Sequence, residues 1–310
     1  MGGCENVMSS YGDDGGPAPS RGLNLRLVAA VVIALIGIVM YMTHTEVNPV
    51  TGKKQHIALS VDEERALGLQ AAPGMARKMG GALSPQHNQK ARIVAEVGRR
   101  IVERSDAGRS PYSDNFHFYL LDDPETVNAF ALPGGQVFVT RGLFDKLDTE
   151  AQLAGVLGHE IGHVIGRHAA EHMAKGDLGN ILTVAVGVGA SDDSGRGRSA
   201  QMAAAMVNQM AQLKFSRSDE SEADQFGLKF MAEAGYDPTG MLDVMRVLKE
   251  ASKGGRQPEI LATHPLPDTR IDAIKDYLAA TYPNGVPANL TKGRSLRGVE
   301  EGSDRRESDP

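Results

Sequence analysis

Cysteine is nearly absent from this 310-residue chain: the single one, Cys4, lies ahead of the longest apolar run, so the globular part has no thiol and no internal disulfide. Basic charge is not in excess either. A net charge of -6 gives no positive field for gathering phosphates, which argues against nucleic acid and leaves a polypeptide or a small molecule as partner. No segment repeats at a fixed period, so a solenoid is excluded.

Long apolar runs are scarce as well. Residues 27–42 form one, and with residues 25–26 and Thr43 they approach the ~20 residues that cross a bilayer. One membrane span over 25–43 is expected. Arg21 and Arg26 sit closer to it than Lys53 and Lys54, which favours a single-pass protein with a cytoplasmic N-terminus and its larger part outside, on the periplasmic side of the inner membrane if the source is a bacterium. The other apolar run, 181–190, is too short to span and reads as a buried helix or loop.

Composition divides the rest. Residues 1–24 are rich in Gly, Ser, Pro and Asp and are expected to be a flexible tail, as is the charged stretch 291–310. Between them lie a connector with the first helices, 44–86, and the main domain, 87–290. Ile93, Val97 and Ile101 recur at helical spacing and predict an amphipathic helix over 87–104. Alternation over 116–121, the turn signal Pro133-Gly134-Gly135 and the run Gln136-Val-Phe-Val-Thr140 predict a small antiparallel sheet, with the strand around Val137 to Thr140 at an edge open to an extended peptide. Helical patterns follow almost to the end. The fold class is therefore α+β, mainly helical.

Within one apolar helical segment stands His159-Glu160-Ile161-Gly162-His163. Residues four apart lie about 40° apart around a helix, so both imidazoles face one point and supply half of a tetrahedral zinc shell. Glu160, beside the first ligand, is placed to act as base. Two histidines and a glutamate on a buried helix need partners, and one zinc ion serves all three.

The third ligand lies elsewhere. His168 falls about 180° round the helix from His159 and cannot reach the same ion unless the helix breaks. The metzincin pattern wants histidine at 169, where Ala169 stands. The acidic stretch Ser216-Arg-Ser-Asp-Glu-Ser-Glu-Ala-Asp224 is a better source: Glu220 and Asp224 are one turn apart, so Glu220 can bind the metal while Asp224 holds the free N–H of His159. Glu222 ranks second as ligand. Met202, Met206 and Met210 form a stripe read as core packing.

Asn128-Ala-Phe-Ala-Leu-Pro-Gly-Gly135, His159-Glu-Ile-Gly-His-Val-Ile-Gly-Arg-His168, Ser216-Arg217 with Glu220 and Ala223-Asp224, and Thr263-His264-Pro265 with Arg270-Ile271 occur in this order. In them the chain resembles the HtpX and CAAX-prenyl-protease family of gluzincin metallopeptidases, in its periplasmic and Oma-type branch. The resemblance implies a gluzincin domain with zinc on His159, His163 and Glu220, Glu160 as general base and Asp224 beside the ligands. It also places His264 near the active site, either steadying an oxyanion or taking the fourth metal position in a latent enzyme. The implied function is a membrane-anchored zinc endopeptidase acting on misfolded or misassembled envelope proteins; the alternative is a zinc-containing chaperone or binding module that does not cut. The oligomeric state is not implied.

Overall fold

A computed structural model describes residues 31–176 and 213–299, apart from 33, 37, 40, 41, 44, 58, 255, 256 and 267. The expected tail 1–24, much of the expected span, the run 181–190 and the methionine stripe lie outside these residues. The described part of the span is helical, with Leu35, Ile36, Val39 and Met42 exposed. Among the described residues no helix is long and apolar enough to cross a membrane.

The chain first forms a short hairpin, β1 (Thr45–Val47) and β2 (Lys54–His56), and then helix α1 (Val61–Lys78), which opens on a reciprocal cap between Ser60 and Glu63. The spacing Ile93, Val97, Ile101 produces α2 (Gln89–Arg104), with those residues buried. Strands β3 (His117–Leu121), β4 (Ala129–Leu132) and β5 (Gln136–Thr140) follow, then the single turn α3 (Arg141–Phe144) and helices α4 (Glu150–Ile165), α5 (Arg217–Glu233), α6 (Gly240–Ala251), α7 (Ile260–Thr263) and α8 (Asp268–Thr281).

The three-stranded sheet is mixed, in the order β3-β5-β4, with β5 parallel to β3 and antiparallel to β4. This corrects the expected all-antiparallel sheet and the expected edge strand. The turn at 133–135 joins β5 to Ala129–Leu132, a run too short and alanine-rich to read as a strand, rather than to β3. Strand β5 therefore lies in the centre with all five residues buried, and β4 is an edge. Val137 and Val139 join the core built with α2 and α4, while Phe138 turns to the other face, beside Leu67, Ala71 and Met75 of α1. Gly134 sits at φ +81°, and a Cβ there would meet the α1 backbone at Arg65 Cα, 2.5 Å away.

Residues 291–299, expected within a disordered tail, fold onto the body. Arg294 and Lys292 carbonyls accept from Glu150 and Ala151 N–H at 3.1 and 3.0 Å, Leu296 is buried, and Arg294 pairs with the Glu150 carboxylate. A composition rich in charge concealed this, because the segment works through backbone groups and one leucine.

Helices α4 and α5 cross closely because glycines line the contact. A Cβ on Gly158 would lie 3.2 Å from Gly227 Cα, and one on Gly162 would lie 2.9 Å from Ala223 O. In an open helix Gly→Ala is worth about 1 kcal/mol in favour of alanine, but overpacking costs about 1–3 kcal/mol. Gly162→Ala is accordingly expected to lower the urea midpoint; an unchanged or raised midpoint would contradict so tight a crossing.

Candidate metal centre

Every residue of α4 is buried, which is unusual for a helix carrying two histidines and a glutamate. A reciprocal cap from Thr149 and Gln152 starts it. A second cap, between Ser216 and Asp219, starts α5 and sets Glu220 in the first turn, with Asp224 one turn later. The short helix α7 ends at His264, and Arg270 comes from α8.

The close crossing brings these side chains together. His159 Nε2 lies 3.0 Å from His163 Nε2 and 3.3 Å from His264 Nδ1. Glu220 Oε1 lies 3.3 Å from His163 Nε2 and 2.9 Å from His264 Nδ1. One ligand atom from each of His159, His163, Glu220 and His264 falls within 4.8 Å of all the others, and all four residues are buried. Asp224 Oδ1 stands 2.9 Å from His159 Nδ1, as the spacing predicted. Arg270, which spacing gave no means of singling out, donates from Nε and Nη2 to Asp224 at 2.5 and 2.8 Å and pairs with Glu220 Oε2.

Electrostatics fit this geometry. Burial pushes His163 well below its ordinary pKa, leaving the neutral imidazole that can ligate. Burial alone would raise the Glu220 carboxyl, but the His264 and His163 imidazoles against it outweigh that and hold it below the usual range. Burial likewise opposes ionisation of Asp224, and Arg270 overcomes it. Glu160 and Glu220 give the evidence that bears on a metal: Glu160 Oε1 and Glu220 Oε2 are buried without a hydrogen bond. Glu220 Oε2 still has Arg270 as an ionic neighbour, whereas the ionic neighbour of Glu160 Oε1 within 4 Å among the described residues is His264 Nε2, 3.8 Å away. A buried cluster of two imidazoles and a carboxylate, with a third imidazole at hand and an unsatisfied carboxylate beside it, suits a zinc ion and a water.

A family model describing peptidase family M48 matches residues 88–278. The chain belongs to peptidase family M48. A beta-barrel assembly-enhancing protease of Yersinia pestis is 34% identical over 74% of this chain and 46% of its own length. That of Escherichia coli (strain K12) is 30% identical over 93% of this chain and 60% of its own length. The mitochondrial metalloendopeptidase OMA1 of Schizosaccharomyces pombe is 32% identical over 78% of this chain and 69% of its own. The chain thus spans about half the length of the bacterial relatives. The M48 match contains His159, Glu160, His163, Glu220, Asp224, His264 and Arg270, while the hairpin 45–56 and the segment 291–299 fall outside it.

His168 was excluded as a ligand on the assumption of a continuous helix, and the M48 helix does break. Gly166 caps α4, Arg167 takes φ +57°, and residues 168–176 resume as a helix. A left-handed arginine costs about 1 kcal/mol. It is held by Glu64 Oε1, which accepts from Nε and Nη2 at 2.8 and 2.7 Å, by Glu46 and by the Leu59 carbonyl. The break turns His168 back against the far side of His163, not into the ligand cluster. Glu222 points away from the cluster to Lys53 and His168, and His172 pairs with Asp219.

Arg270 neutralises two buried carboxylates, and breaking such a pair costs about 3–5 kcal/mol. Arg270→Ala is expected to destabilise the metal-free chain by about that amount in urea unfolding, and Arg270→Met, which keeps most of the packing and removes the charge, by a comparable amount; a methionine variant as stable as the parent would contradict the role of the charge.

Proposed function

We propose that this chain is a zinc-dependent endopeptidase that binds one zinc ion through His159, His163 and Glu220 and uses Glu160 as its general base. The observation that carries the reading is the buried Glu160 Oε1, without a hydrogen bond, beside a cluster of four potential ligands. Zinc, when bound, activates a water near neutral pH and polarises a carbonyl. Glu160 is placed to take the proton of the attacking water and hand it to the departing amine. Asp224 accepts the Nδ1–H of His159 and so keeps Nε2 of that ring turned to the cluster. Arg270 holds Asp224 ionised in a buried place and pairs with Glu220, which the His264 and His163 imidazoles keep charged.

Of the two roles open to His264, this conformation supports the fourth ligand of a closed state, because its Nδ1 lies within reach of both Glu220 and His159. An extended polypeptide would pair with the edge strand β4, whose neighbouring residues Ala131 and Leu132 border the same small cavity as His163. The substrates we propose are misfolded or misassembled envelope proteins, in keeping with the similarity to beta-barrel assembly-enhancing proteases. A single span over 25–43 would hold the domain at the periplasmic face of a bacterial inner membrane, a reading that rests on the apolar run in the sequence.

The test is cleavage of an unfolded protein by the zinc-loaded chain beside Glu160→Ala, with metal content measured on both. The parent is expected to cut and to hold about one zinc per chain, and the variant to hold zinc with cleavage reduced by about 100-fold or more. Absence of cleavage by both proteins with zinc retained would favour the zinc-containing module that does not cut.

A further inference from the structure

Between helix 168–176 and α5 lies a polar chain that the proposed reaction does not use. His163 directs Nε2 at His159 and Glu220, and its other nitrogen, Nδ1, stands 2.9 Å from Nδ1 of His168. His168 is 1% exposed, and its Nε2 lies 3.3 Å from Glu222 Oε2. That same oxygen takes the Lys53 ammonium at 2.8 Å. Lys53 belongs to the turn of the N-terminal hairpin, directly before β2.

Proton placement along this chain follows from the donors available. Two facing Nδ1 atoms at this distance need one proton between them; two would clash and none would set lone pair against lone pair. Glu222, paired with an ammonium, only accepts, so Nε2 of His168 carries a proton. With its proton on Nε2, the His168 ring offers a bare Nδ1 as acceptor, and the shared proton belongs to Nδ1 of His163. Nε2 of His163 is left with its lone pair free and turned to the ligand cluster.

We propose that His168 is a positioning residue for His163, accepting its Nδ1–H and so fixing Nε2 as the metal-facing nitrogen, with Glu222 and Lys53 fixing His168 in turn. This rests on the zinc-centre reading above. His159 is oriented by a carboxylate, Asp224, and His163 by an imidazole backed by one. The two ligands thus have different supports, and the second reaches a hairpin outside the M48 match. The left-handed turn at Arg167 makes the contact possible, since an unbroken helix would carry His168 to the opposite side.

The test compares the full chain with His168→Leu, which removes the acceptor, and His168→Asn, whose Oδ1 restores one near the Nδ1 position. Zinc affinity is read by chelator competition, ligand geometry by the visible spectrum of the Co2+ form, and packing by the melting temperature of the metal-free chain. His168→Leu is expected to weaken zinc binding about 10–100-fold and to alter the cobalt spectrum, while His168→Asn recovers most of both. Should the leucine variant melt early, Glu222→Ala, a change at a partly exposed side chain, is expected to weaken zinc binding with the metal-free melting temperature kept. Equal affinity in parent and variants overturns the positioning role, as does equal loss in the leucine and asparagine variants. A parent that binds no zinc overturns the metal-centre reading beneath it, which sets the two failures apart.

Discussion

The centre depends on one constraint: α4 is buried on every face although it carries two histidines and a glutamate. A helix in that position cannot leave its polar groups to solvent, so each needs a partner inside the protein. Asp224 answers His159, His168 answers His163, and Arg270 keeps Asp224 charged. Glu160 is the group left over. The surrounding structure can be understood as the means of bringing these partners within about 3 Å, beginning with the glycines that let α4 and α5 cross.

Much of the centre was legible in the sequence because helix geometry is local. The i, i+4 spacings of His159 with His163 and of Glu220 with Asp224 fix which side chains share a face, and the structure brings these two pairs together. Arg270 was not legible in this way, since its role depends on how α8 packs on α5. The contact of His168 with His163 was not legible for a related reason: it follows from a left-handed arginine, and what stabilises that turn is Glu64, 103 residues earlier. The sheet failed where pairing is non-local. A turn signal shows where the chain reverses, but not that β5 will enter between β4 and an earlier strand.

Electrostatics at the site are collective. Burial opposes charge on Glu220, Asp224 and Arg270 alike; Arg270 and Asp224 keep each other ionised, while the His264 and His163 imidazoles keep Glu220 so. Such a cluster tolerates replacement of the whole set better than removal of one member.

Helix α4 is secured at both ends by distant parts of the chain. Its first amide groups donate to the carbonyls of Lys292 and Arg294, and its last carbonyls accept from Asn48 and Gln55 in the N-terminal hairpin. During synthesis, residues beyond 290 leave the ribosome long after the His159–His163 motif has emerged. Until they do, the amide groups of Glu150 and Ala151 lack these acceptors and the Glu150 carboxylate lacks Arg294. The nascent chain thus holds its two histidines on an unfinished helix until residues 292–294 have been made.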